Sequence, residues 1–129
     1  MARHRLALAL AAAWLPFAAG AVERAVADDP LATFATCAGR FSALMEHQWM
    51  MDGPGSEETA RRRLMMIDLI DAIILPEQGI EVLSRRIEAK HAQASLLTRA
   101  TFSADTRESA TAGRLAQLQL SQCELLLPS

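Results

Sequence analysis

Glu46, His47, Met50 and Met51 fall close together in the stretch LMEHQWMMDGPG, Leu44 to Gly55. A histidine beside a carboxylate is the pair used in general acid–base chemistry, and an imidazole with two thioethers is a donor set suited to monovalent copper. The first chemistry fails on spacing. On a helix, consecutive residues point about 100° apart, so Glu46 and His47 face outward in different directions and do not converge on a substrate. The second survives, because Met50 and Met51 lie within about 60° of His47 on a helical wheel. His47, Met50 and Met51 are therefore the candidate metal ligands. Methionine is also a common filler of helical cores and interfaces. That reading is taken for Met45, Met65 and Met66 and preferred for the patch, so no metal ligand is assigned and no cofactor is expected.

The remaining reactive residue types are scattered. No G-x-S-x-G elbow surrounds any serine, and no nucleophile stands out. Asp68 and Asp71 share the polar side of one helix, but two carboxylates hold a hard cation only with several further oxygen ligands. His91 reads as a partly covered structural histidine. Arg61, Arg62 and Arg63 are bracketed by Glu57, Glu58, Asp68 and Asp71, which suits a solvated first turn of a helix. With no basic face and few aromatics, the chain is not expected to bind nucleic acid. These residues point away from an enzyme.

The elements that position them follow from the punctuation of the chain. Residues 1–27 read as an export signal: Arg3, His4 and Arg5, then an apolar run from Leu6 to Phe17, then small residues. Cleavage sites of A-x-A type occur before Val22 and before Asp28, the second being preferred. Neither the run nor any later stretch has the ~20 apolar residues of a membrane span, and Cys37 lies too far along to carry a lipid. Removing Arg3, Arg5, Arg24 and Glu23 with the signal leaves 10 basic and 14 acidic residues, a formal balance of −4 against −2 for the whole chain. A periplasmic or secreted location follows.

Residues 28–129 are expected to form one helical domain with a single modest core. Asp29 as N-cap and Pro30 at the first helical position open the first helix, which runs to about Met51. Its buried row is Phe34, Cys37, Ala38, Phe41, Leu44, Met45, Gln48 and Trp49, in which Gln48 must find a partner on a neighbouring helix. DGPGS ends it, with Ser56 available as the next cap. The second helix, about Glu57 to Leu75, carries Arg63, Met66, Ile67, Ile70, Ile73 and Ile74 on one face. The third runs from near Glu77 to about Phe102, with the row Leu83, Ile87, Ala94, Leu97 and Thr101, weakened by Lys90. The fourth starts at Asp105, where Asp105 and Glu108 have capping-box spacing, and buries Ala112, Ala116, Leu120, Cys123 and Leu127. No sustained two-residue alternation marks a strand.

Four helices of about 28 to 38 Å with short connections fold as an all-α, antiparallel, up-down-up-down four-helix bundle. In that topology Cys37, near the start of the first helix, and Cys123, near the end of the last, meet at the same end on the apolar rows. In an oxidising compartment they are expected to pair. Closing a loop of this length would contribute on the order of 4 kcal/mol.

Leu64, Met65, Leu69, Leu75, Leu118 and Leu125 lie off the buried rows and leave apolar surface for a protein partner, a hydrophobic ligand or self-association. The function expected is that of an exported, non-enzymatic interaction module, with soft-metal binding by His47, Met50 and Met51 as the alternative.

Overall fold

The computed structural model of the chain describes residues 29–51 and 53–128. The expected export segment with its two A-x-A sites lies outside the described residues, as does Asp28, where the helical domain was expected to start.

Four helices follow in order: α1 Pro30–Met51, α2 Gly55–Ile73, α3 Gly79–Phe102 and α4 Thr106–Glu124, with a 3-10 turn at Pro76–Gln78. Each boundary has a local cause. Asp29 Oδ1 accepts the Ala32 amide at 2.9 Å, the expected cap of α1. Gly53 and Pro54 separate α1 from α2. Ser56 is not the cap of α2 but sits in its first turn, where its hydroxyl donates back to the Gly53 carbonyl at 2.5 Å. Ile74 and Leu75 are extended ahead of Pro76, because the proline ring disfavours a helical residue before it. Asp105 Oδ1 caps α4 through the amides of Arg107 and Glu108 at 2.8 and 3.1 Å. Glu108 accepts from the Ser103 hydroxyl at 2.7 Å, which ties the α3–α4 connection to the first turn of α4.

The chain is an all-α antiparallel four-helix bundle, and among the described residues there are no strands. Within it α1 is central. It packs against α2 on one side and most closely against α3 on the other, while α4 packs on α3 and reaches α1 at its C-terminal end. Helices α1 and α3 run parallel: Gly39 meets Arg86 and Lys90, and His47, further along, meets Thr101. Their close approach depends on Gly39, which is buried and whose added Cβ would lie 2.3 Å from the Arg86 carbonyl oxygen.

The main core joins Cys37, Ala38 and Phe41 of α1 with Met66 and Ile70 of α2, Val82 of α3, and Leu120 and Cys123 of α4. A smaller cluster, Leu96 with Ala112 and Ala116, holds α3 to α4 at the other end. Cys37 and Cys123 form the expected disulfide, with Cα atoms 5.5 Å apart. Arg40 lies over it, donating to the Gln119 carbonyl at 3.3 Å with its guanidinium 3.7 Å from Cys123 Sγ. Burial lowers the pKa of Arg40 from the ordinary arginine value. The α4 row is as expected, with Ala112, Ala116, Leu120 and Cys123 buried and Leu127 packed against the core.

One expected row is displaced, and two others each lose a member. The buried face of α3 is Val82, Gln93 and Leu96, not Leu83 and Ile87, which are 54% and 47% exposed. Thr101 is exposed too. The true face holds a glutamine and small residues packed between α1 and α4, so it carries less hydrophobicity than the face beside it. Gln93 is fully buried, and its amide nitrogen donates to the Ala116 carbonyl at 3.2 Å. On α1, Trp49 is 59% exposed rather than part of the core. At that end α2 presents its first turns, with Gly55, Ser56 and Thr59, side chains too small to wrap an indole. Ile73 of α2, expected in the core, is 43% exposed.

Candidate functional site

The EHQW stretch lies in the last turns of α1, where it runs beside α3. Glu46 and His47, expected to face outward, both engage α3. Glu46 pairs with Lys90 at 2.6 Å, and His47 Nε2 lies 3.1 Å from Thr101 Oγ1. The cause is the central position of α1: the side opposite its most apolar row is covered by a helix rather than by water. Gln48 is partly buried, and its Oε1 has no protein partner.

Past this point α1 has little cover. Met50 is 71% exposed and Met51 55%. The candidate copper ligands thus comprise two exposed thioethers and a histidine whose Nε2 is engaged by a hydroxyl. Among the described residues no group of three or more His, Cys, Asp and Glu side chains gathers in metal-ligand geometry. Phe102, at the end of α3, is 63% exposed. Because α1 and α3 are parallel, Trp49, Met50, Met51 and Phe102 lie at the same end of the bundle.

A second feature is a cleft of about 180 Å³ whose floor is α1, at Gly39, Ser42, Met45 and Glu46. Leu83, Arg86, Ile87 and Lys90 of α3 form one wall and Arg63 of α2 contributes to the other. Arg63 Nε donates to Ser42 Oγ at 2.9 Å. The arginine cluster is therefore only partly solvated. Arg61 is exposed and bonds Glu58, Arg62 bridges Glu58 and Glu124 at 3.2 and 2.5 Å, and Arg63 turns inward. The hydrogen bond from Arg61, with Arg62 nearby, holds the Glu58 carboxyl below its usual pKa.

A larger cleft of about 340 Å³ separates α3 from α4 near Leu96 and Leu115. Its Arg99 and Arg107 are matched by Asp105 and Glu108, so its charge is balanced. His91 is exposed rather than partly covered, and Asp68 and Asp71 are exposed. Leu64, Leu75, Leu118 and Leu125 are exposed as expected, at 53, 53, 56 and 83%. Leu69 packs against the core and Met65 is partly buried.

The open wall of the cleft was present in the sequence as the row Leu83–Ile87, assigned there to the core. No helix among the described residues is long and apolar enough to cross a membrane. Comparison with protein-family models, curated proteins and solved structures gives no match.

Proposed function

We infer that this chain is an exported, non-enzymatic interaction protein that presents apolar side chains to another protein. The observation that carries the reading is the end of the bundle where Trp49, Met50, Met51 and Phe102 are all more than half exposed. Tryptophan, phenylalanine and methionine are the residue types enriched where proteins meet. Large apolar side chains exposed together at one end of a small bundle mark a surface for another protein. Export is supported by the disulfide, which is stable in oxidising compartments, together with the signal-like pattern of residues 1–27.

The test is photo-crosslinking in the compartment to which the chain is exported, with the reactive group at Met50 or Phe102. The expected result is a discrete crosslinked band containing a second protein, absent when the group is moved to Gln117, an exposed residue of α4 away from that end. Equal, diffuse labelling from all three positions would overturn the reading.

A further inference from the structure

We propose that the cleft over α1 is a self-association site, occupied by the outer face of α2 from a second copy of this chain. The proposal rests on the interaction reading above but concerns a different surface. The cleft exists because α2 and α3 both pack on α1 without forming an interface with each other. Its α3 wall carries Leu83 and Ile87, 54 and 47% exposed, and Ile80, 87% exposed, extends the same apolar row toward the start of α3 beyond the cleft. This row has the i, i+3, i+7 spacing of a face built to meet another helix.

The charge of the cleft states what that helix must carry. Arg63, Arg86 and Lys90 line it against one carboxylate, Glu46. Glu46 is already paired with Lys90. Among the described residues neither Arg63 nor Arg86 has an ion-pair partner. The complement is a helix with aliphatic side chains and at least two carboxylates on one face.

The chain itself contains such a face. Leu64, Asp68 and Asp71 lie on successive turns along the outer side of α2, and Leu75 follows just beyond its end. All four are exposed, and neither aspartate makes an ion pair among the described residues. Because α2 also forms one wall of the cleft, donor face and acceptor cleft lie side by side. A two-fold axis along this edge lets the α2 of each copy enter the cleft of the other. The contact is then isologous and closes as a dimer instead of propagating. In it Asp68 and Asp71 meet Arg63 and Arg86 of the second copy, and Leu64 meets its Leu83 and Ile87.

The experiment is sedimentation velocity on the processed, oxidised chain, with a charge-swap pair. The wild-type chain is expected to be a dimer that weakens as salt rises. Arg63→Glu/Arg86→Glu alone and Asp68→Arg/Asp71→Arg alone should each be monomeric, with far-UV circular dichroism unchanged. An equimolar mixture of the two variants should recover a dimer, since both clefts then face a complementary helix. Leu83→Glu, on an exposed position, should give a monomer that no mixture rescues. A wild-type monomer at every accessible concentration, or variants that dimerise as wild type or fail to restore each other when mixed, would overturn self-association at this cleft. Crosslinking from Met50 and Phe102 at the end of the bundle is scored separately, so loss of the dimer leaves that reading standing.

Discussion

Gly39 of α1 lies so close to the backbone of Arg86 that a Cβ added to it would sit 2.3 Å from the Arg86 carbonyl oxygen and 3.0 Å from both Ala89 Cβ and the Lys90 nitrogen. The obstacle is mostly main chain, which cannot rotate away as a side chain would. The two parallel helices approach here through a position that accepts hydrogen alone.

Gly39→Ala is therefore expected to destabilise the bundle, although alanine is the better helix former by up to about 1 kcal/mol. Separating α1 from α3 is an overpacking change with a typical cost of about 1 to 3 kcal/mol. Because the clash is with backbone, the upper part of that range is expected. A urea midpoint lower than wild type with an unchanged slope would show it. A midpoint raised by the alanine would mean the helices can part at little cost.

The disulfide should matter most where α4 depends on it. The N-terminal half of α4 is held to α3 by Ala112, Ala116 and Leu96, whereas its C-terminal end is fastened to α1 by Cys123. Thiol labelling of the unreduced, denatured protein is expected to find no free cysteine. Cys37→Ser/Cys123→Ser should cost on the order of 4 kcal/mol. Hydrogen exchange should accelerate first at residues 119–124 and later at 109–116, and uniform acceleration along α4 would contradict this order.

In the EHQW stretch the expected roles of tryptophan and histidine are revised by their surroundings. Trp49→Ala should cost less than about 1 kcal/mol, against about 3 to 5 for a buried tryptophan. Trp49 emission should be that of a solvated indole, read on a chain beginning at Asp28, in which Trp49 is the sole tryptophan. His47→Ala removes the contact with Thr101 and should cost about 0.5 to 1 kcal/mol. An anaerobic titration with monovalent copper against a competing chelator is expected to show no one-equivalent complex that His47→Ala releases. Tight binding lost on that substitution would instead favour His47, Met50 and Met51 as ligands.

Gln93 provides a contrast between volume and polarity. Gln93→Ala should cost about 2 kcal/mol or more, because the side chain is fully buried and leaves a cavity. Gln93→Met keeps most of the volume and should cost less than about 1 kcal/mol. Its buried Oε1 has no protein partner to lose, and the Ala116 carbonyl, inside α4, keeps its helical amide donor. Equal losses for the two substitutions would show that the Gln93–Ala116 hydrogen bond, not packing, holds α3 to α4. Thermal unfolding of the purified variants separates the cases.

The helices, their order and most of their ends were determined by the sequence alone. Asp29–Pro30, Gly53–Pro54, Pro76 and Asp105 act within a few residues of themselves, so their effects need no knowledge of the fold. The disulfide was legible too, because strict alternation of helix direction leaves Cys37 and Cys123 at one end. What only the tertiary structure decided is which side of each helix is covered. A wheel ranks faces by apolarity, but cover depends on where neighbours lie. The neighbours of α3 are α1 and α4, which meet it through Gly39, Ala112 and Ala116, small residues that permit close approach to the face bearing Gln93. Close packing thus buried a less hydrophobic face, and Leu83 and Ile87 were left along the open cleft. The same physics exposed Trp49, whose row on α1 outruns the helices able to cover it.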